Sequence, residues 1–317
     1  MLLLLFDAHW GHPLGVPERI GEVEITQDRD RYGEADLVVF HVPEWKADRL
    51  RARRPWSWQL TPAKRPGQLW VAASLECEDH YPIQADVRFI EHFDITMTYR
   101  LDSDIPTTYA IPFGPASAMV EALRRPPAAK TEAALMAAFI SSAVDRSDRR
   151  AYLYELSQYM AIGSYGRFMN NRSLGADAGR ATKLDTIARY KFTAAFENAR
   201  ARDYVTEKFF DPLWAGSVPV YFGAPNVAAF APGDHCYIDA ARFADPRDLA
   251  AYLAWLDRTP AEYERFFAWK REPLNQRFTT LITAEETHPL ERLCRLARRR
   301  LGDIGSIAAG SLREGER

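Results

Sequence analysis

The sequence predicts an α/β fold divided into two domains, and three observations predict it. Short, continuous apolar runs recur along the 317 residues: Leu2–Phe6, 37-LVVFH-41, 69-LWVAAS-74, 94-DITMTY-99, 134-ALMAAFIS-141, 192-FTAAF-196 and 217-SVPVYF-222. Runs of that length suit strands buried on both faces, as in parallel sheets. Amphipathic segments lie between them, and strand–helix alternation on this scale marks α/β units. Lastly, 121-EALRRPPAAKTEAA-134 interrupts the pattern with two prolines flanked by charge and alanine. A domain linker is expected there, near 126–131, and two domains of about 100–200 residues suit a chain of this length.

The first run, within 1-MLLLLFDAHW-10, reads as a buried strand. It stops at Asp7, whereas a spanning helix needs about 20 apolar residues. No basic segment precedes it, so a signal peptide is not expected. Helical spacing follows in Tyr152, Leu156, Tyr159 and Met160, and again in Leu249, Tyr252, Leu253 and Leu256. The tail, 286-ETHPLERLCRLARRRLGDIG-305, is a basic amphipathic helix. Leu290, Leu293, Leu296 and Leu301 mark one face, and Arg292, Arg295 and Arg298–Arg300 carry the charge. Such a helix either lies peripherally on an anionic membrane or packs on the domains with its arginines in water.

Net charge is −2, from 41 Lys and Arg against 43 Asp and Glu. Nucleic acid is not an expected partner, since that would need a basic excess. Cys77, Cys236 and Cys294 form no CxxC pair and no metal-ligand spacing with His, so neither a disulfide framework nor a metal site is expected. The chain reads as bacterial and cytoplasmic.

One stretch asks for chemistry. In 197-ENARARDYVTEKFF-210, Glu207 and Lys208 stand side by side after the run 192-FTAAF-196. Thr206 is a good N-cap, so a helix is expected to start there. Ligands of open α/β sheets bind beyond the carboxyl ends of strands, and a helix N-terminus at that place favours phosphate. Lys208 adds a full charge for it. Glu207 would repel a phosphate but would accept hydrogen bonds from a neighbouring sugar diol. The plain alternative is a pair of exposed first-turn residues, since acids are favoured there in any helix. Pro212 argues for a short first segment, because an interior proline costs about 3 kcal/mol.

The run 190-YKFTAAFENARARDYVTEKFFDPLWAGSVPVYFGAPNV-227 resembles the signature of the α1,3/4-fucosyltransferases, glycosyltransferase family 10, with Ala199 where that family usually has Ser. Two upstream segments, 93-FDITMTYRLDSDIPTTYAIPFG-114 and 139-FISSAVDRSDRRAYLYELSQYMAIGSYGR-167, resemble its TYR-x-DSDI and SYGR regions. The resemblance runs from about residue 69 to residue 260. It implies a GT-B architecture, two Rossmann-like domains facing a cleft: 1–128 for the acceptor, 129–285 for GDP-fucose, and 286–317 as the basic helix and tail. It also implies inverting transfer of L-fucose from GDP-fucose to a glycan hydroxyl, with GlcNAc of a LacNAc-type glycan in α1,3 linkage as the expected acceptor. No cofactor or metal is implied. Another GDP-sugar donor, or non-catalytic nucleotide or glycan binding, are the competing readings.

Residue by residue, the resemblance assigns Glu76 as general base, which chemistry asks for because a sugar hydroxyl is a poor nucleophile until a group accepts its proton. Cys77-Glu78 departs from the family's Ser-Pro and makes Glu78 a rival. Arg149 and Lys208 match the pyrophosphate-binding cations, with Arg146 and Arg150 as alternatives if the register slips. Glu207 matches the residue near ribose or fucose. Asn198 and Tyr204 match positions lining the guanosine pocket. Tyr99 and Arg100 are expected to shape the cleft on the acceptor side. The pair in 102-DSD-104 is read as structural rather than as a metal site. Asn171-Arg172-Ser173 is read as an accidental sequon. Trp45, Trp56 and Trp58 are candidates for stacking on sugars, and Arg49–Arg54 for an acidic glycan or a membrane.

Overall fold

The computed structural model describes residues 1–6, 14–44, 63–110 and 116–314, with 303–314 as backbone only. Trp45, Trp56, Trp58 and Arg49–Arg54 lie outside the described residues. Contacts gather the chain into two units. One is Met1–Thr107 with the segment from Thr287 onward; the other is Thr108–Glu286.

In the first unit six strands stand in the order β2-β3-β1-β4-β5-β6: β1 Leu2–Leu5, β2 Arg19–Ile20, β3 Val23–Thr26, β4 Leu37–His41, β5 Leu69–Ser74 and β6 Ile95–Thr98. All neighbours are parallel except β2, which pairs antiparallel with β3 at the edge. The four leucines of β1 are all buried, as a strand covered on both faces requires. Leu3 and Leu5 pack with Leu290, Leu293, Cys294 and Ala297 of the helix Pro289–Glu314. Leu2 and Leu4 pack on the other face with Phe40, Trp70, Phe89 and Phe93. Each such side chain contributes about 1.5–3 kcal/mol on burial. The basic tail is therefore not a separate segment: its leucine stripe completes this core. Arg292 Nη1 donates to the Pro106 carbonyl at 2.7 Å and Arg300 Nη2 to Asp104 at 2.5 Å. Among the described residues, no helix is long and apolar enough to cross a membrane.

The second unit holds β7 Met136–Ala138, β8 Ile162–Ser164, β9 Phe192–Phe196, β10 Val218–Phe222 and β11 Ile238–Asp239, all parallel, in the order β11-β10-β9-β7-β8. Counted along the chain this is 2-1-3-4-5, a doubly wound sheet whose strand order reverses between β7 and β9. Helices Arg149–Leu156 and Pro246–Arg258 place Leu153, Leu156, Leu249, Leu253 and Leu256 against one face. The second of these starts on Asp245-Pro246, where the Asp245 carboxylate accepts the Asp248 N–H and proline occupies the first turn. Helix Glu207–Ala215 covers the other face with Phe209, Phe210 and Leu213, joined by Met119, Leu123, Phe278 and Ile282.

The α/β class and the two parallel-sheet halves match the expectation. The division by contacts lies ahead of the expected linker. The expected linker at 126–131 is built into the second unit, and the division falls between Thr107 and Thr108. Pro127 packs so closely on Gly216 that a Cβ there would lie 2.9 Å from its Cα, and Lys130 Nζ bonds the carbonyls of Ala188 (2.8 Å) and Gly216 (2.5 Å). Proline-rich composition marks a chain that leaves secondary structure, which need not be a chain that leaves a domain. The helix expected to carry Tyr159 and Met160 ends at Leu156.

Candidate functional site

The crevice beyond β7 and β9, where strand order reverses, is where an open sheet binds ligands. Arg149 occupies it. It opens the helix Arg149–Leu156, is 2% exposed, and reaches both strand ends. Nη1 donates to the carbonyl of Phe196, the last residue of β9, at 3.2 Å; Nη2 donates to Ser142 (3.4 Å) and Val144 (3.3 Å) in the loop after β7. Its Nε is buried with no partner among the described residues. Burial pulls the guanidinium below its ordinary pKa, against the opposing pull of Asp145 and Glu197.

Two loops are stitched around it. Ser147 Oγ donates to the Glu197 carbonyl at 2.5 Å, and Arg146 N–H to the Asn198 carbonyl at 2.7 Å. Asp145, in the loop just ahead of the helix, caps it by accepting the N–H of Ser147, Arg149 and Arg150 at 3.2, 3.2 and 3.0 Å. Burial pushes this carboxyl upward, but those N–H bonds outweigh it and hold it below the usual range.

The helix Glu207–Ala215 begins as expected on Thr206, whose side chain accepts the Lys208 N–H. Pro212 sits inside it without ending it. The buried Phe209, Phe210 and Leu213 offset the roughly 3 kcal/mol that the proline costs. Lys208 Nζ lies 2.9 Å from Thr206 Oγ1, 3.1 Å from Glu207 Oε1 and 3.5 Å from Glu197 Oε2. Burial works against its charge, but Glu197 and Glu207 hold the ammonium above its usual pKa. For Glu207, burial raises the carboxyl and Lys208 and Lys183 outweigh it, leaving it low and ionised.

Arg149 and Lys208 thus both stand at helix N-termini, the positive ends of the peptide dipoles and the unfavourable ends for a cation. Among the described residues Arg149 has no carboxylate within ion-pair distance, whereas Lys208 shares its charge with Glu197 and Glu207, so an anion in the crevice meets chiefly the charge of Arg149 and the helix N-termini. Arg150 and Arg167 add to it. With Ser141, Ser142 and Phe168 they line a cleft of about 290 Å³ beyond β7 and β8, and among the described residues neither has a carboxylate within ion-pair distance. Asn198 joins the same loops, with a buried Oδ1 that lacks a partner among the described residues. Tyr204 is buried and meets Tyr109 edge-on at 6.3 Å.

Sequence reasoning missed Glu197, which reads along the chain only as the end of a strand. The side chain is fully buried. Its carboxylate accepts the Thr206 N–H at 2.7 Å and the Thr206 O–H at 2.8 Å. Burial raises its pKa, and Lys208 opposes that rise. A Cβ on Gly223 would lie 2.6 Å from Glu197 Cγ, so the glycine makes room for the acid. An acid directly after the strand-like run 192-FTAAF-196 was the available signal.

In the first unit, Glu76 lies half-buried two residues beyond β5. Its main chain is pinned: the N–H donates to Ser74 Oγ at 3.0 Å and the carbonyl accepts from Gln84 Nε2 at 2.9 Å. Cys77 is buried, with its thiol pushed up to about 12 by burial. Glu78, the rival base, is committed at both oxygens: Oε2 accepts the Tyr99 O–H, and Oε1 lies 3.3 Å from Arg100 Nη1. Burial and then Glu78 raise the Tyr99 phenol well above its usual pKa. Arg100 also forks onto Asp102 at 2.9 and 2.8 Å. Asp104 accepts from Thr96 N–H and O–H at 2.8 and 2.9 Å. Both acids of 102-DSD-104 are therefore bound to protein groups. In the sequon, Asn171 Nδ2 donates to the Ile162 carbonyl at 2.9 Å while Oδ1 accepts the Ser164 N–H, so its amide is part of the β8 edge.

A family model described as glycosyltransferase family 10 (fucosyltransferase) C-term matches residues 128–303, and one described as fucosyltransferase, N-terminal, matches 2–110. GDP-fucose protein O-fucosyltransferase 3 of Xenopus laevis is 41% identical over 155 residues, 46% of this chain and 33% of that protein. Alpha-(1,3)-fucosyltransferase 7 of Homo sapiens is 35% identical over 256 residues, 79% of this chain and 67% of that protein. The chain thus spans between one third and two thirds of these relatives. A crystal structure of an alpha1,3-fucosyltransferase with GDP-fucose aligns at a TM-score of 0.46 and 17% identity, covering 85% of this chain and 81% of that one.

Proposed function

The chain belongs to glycosyltransferase family 10, the fucosyltransferases, and from that premise we propose that it transfers L-fucose from GDP-fucose to a hydroxyl of a glycan acceptor. The observation that carries the reading is the pair Arg149 and Lys208, two cations held at helix N-termini beside the β7/β9 crevice. A leaving GDP gains charge as its bond to the sugar breaks, and cations already in place at that point usually lower the barrier more than any other device. Glu207, ionised and half-exposed, takes sugar hydroxyls. Asn198 and Tyr204 serve the guanosine. Glu76 is the general base and the transfer inverts the anomeric centre; Glu78 is too committed to Tyr99 and Arg100 to accept a proton. The cations supply the charge that a metal would otherwise bring, so none is required.

For the acceptor we propose GlcNAc of a LacNAc-type glycan in α1,3 linkage. The similarity to a protein named for O-fucosylation favours a second reading, a hydroxyl of a polypeptide. Incubation with GDP-fucose and a panel of LacNAc-type glycans and Ser/Thr peptides tests both. GDP release on one acceptor class, with the anomeric configuration of the product read by NMR, is the expected result. GDP binding without release on any acceptor would favour a non-catalytic binder. Release with another GDP-sugar and none with GDP-fucose would replace the donor.

A further inference from the structure

We infer that Glu197 is the positioning residue that fixes Lys208 for the leaving diphosphate. The inference rests on the donor reading above and goes one residue deeper into the same site. Glu197 is fully buried, so its effect on a bound donor passes through Thr206 and Lys208.

The direction of that effect is fixed by hydrogen-bond donors and acceptors. A hydroxyl has one proton and two lone pairs. With Glu197 ionised beside the ammonium, its Oε2 takes the Thr206 proton at 2.8 Å, so Thr206 Oγ1 accepts from Lys208 Nζ, which it does at 2.9 Å. Glu197 Oε1 meanwhile accepts the Thr206 N–H at 2.7 Å and anchors the cap residue itself. An ammonium has three donors. Thr206 and Glu207 take two of them, at 2.9 and 3.1 Å, which leaves one for a phosphate oxygen. The carboxylate at 3.5 Å keeps the ammonium charged while it waits. Gly223 is the third part of the arrangement, because a Cβ there would lie 2.5 Å from the Tyr221 hydroxyl and 2.6 Å from Glu197 Cγ, and one of the two would have to move.

A carboxylate that merely stabilises the fold and one that acts through Lys208 differ in how their mutations combine. Groups that act as one unit give non-additive losses, and distant, independent groups give additive ones. The experiment compares Glu197→Gln, Lys208→Gln and the double variant by kcat/KM for GDP-fucose, at a temperature where all three are folded by circular dichroism. Glu197→Gln keeps the shape and an acceptor oxygen but loses the charge. Each single variant is expected to lose about tenfold or more, and the double variant to lose no more than Lys208→Gln alone. Wild-type turnover in Glu197→Gln, or a double loss equal to the product of the single losses, overturns the inference. A second readout does not depend on the donor: the Nζ signal of Lys208 in lysine-labelled protein, observed by NMR. It is expected to be shifted and slowly exchanging in the wild type and to move to the position of solvated lysines in Glu197→Gln. An unmoved signal also overturns the inference. If the wild type binds no GDP while the signal does move, the donor reading fails and the positioning of Lys208 stands.

Discussion

Arg100, just beyond β6 in the first unit, and Arg149, in the crevice beyond β7 and β9 in the second, are both arginines at the carboxyl end of a parallel sheet. Their surroundings are opposite. Arg100 has two carboxylates, Asp102 at 2.8 Å and Glu78 at 3.3 Å, and its pKa is raised, first by the hydrogen bond to Asp102. Arg149 is bonded by three backbone carbonyls, and burial lowers its pKa. The charge of Arg100 is consumed inside the protein, and that of Arg149 is not. Carbonyl bonding alone does not make a ligand site, however. Among the described residues Lys130 and Lys270 are bonded only by carbonyls too, at Ala188 and Gly216, and at Leu123 and Leu213. Those carbonyls lie at or near helix C-termini, where the dipole welcomes a cation. Arg149 and Lys208 sit at the other end. Position on the dipole separates a buried cation that clamps the fold from one that waits for an anion.

The sharpest way to break this comparison lies on the acid held by Arg100. If Glu78 is consumed and Glu76 is the base, Glu76→Gln lowers turnover by about 10²–10⁴-fold. Glu78→Gln then mainly lowers the melting temperature. Equal losses in the two variants would mean that pairing with Tyr99 and Arg100 does not decide which acid works. Next in size is Arg149→Lys. Lysine cannot bridge Phe196, Ser142 and Val144 with one planar fork. Transfer is expected to fall about 10²–10³-fold, with weaker GDP binding by calorimetry; unchanged affinity would erase the distinction between the two arginines. Arg100→Ala is the counterpart. It breaks partly exposed ion pairs worth about 0–1 kcal/mol each, so a small drop in melting temperature with GDP affinity unaltered is expected.

Much of this was legible in the sequence because the signals were local. The strands at 37–41, 69–74, 192–196 and 218–222 announced themselves as short, predominantly apolar runs, and Thr206 as an N-cap. The strands β8, Ile162–Ser164, and β11, Ile238–Asp239, are too short to give a run. The strand β3 alternates buried and half-buried residues at the sheet's antiparallel edge. Glu197 was illegible for a different reason. Its meaning depends on Thr206, nine residues on, and on the missing side chain of Gly223, which meets it only after β10 has returned alongside β9. The same holds for Lys130. A lysine in a proline-rich stretch looks solvated until two helix ends arrive over it.

The smallest effect tests the structural half of the comparison. Burial lowers the pKa of Lys270 to about 8 in the folded chain, against about 10.4 for a lysine in an unfolded chain. Between those values the unfolded state holds a proton that the folded state has released, so stability contributed by this group rises with pH through that window. Below pH 8 both states are protonated and the burial penalty is constant. The buried thiols Cys77 and Cys236, each raised to about 12, act in the opposite sense once unfolded thiols ionise near pH 8.5. The wild-type curve therefore mixes both signs, and only a difference isolates the lysine. Lys270→Met deletes the titration and leaves the thiols. Relative to the variant, the wild type is expected to gain melting temperature steadily from pH 8 to pH 10. Parallel curves would show that Lys270 holds the Leu123 and Leu213 carbonyls with its proton in place throughout. The helix C-termini would then offset the burial penalty of Lys270 in full, and a burial-lowered pKa would belong to Arg149 and not to the clamp.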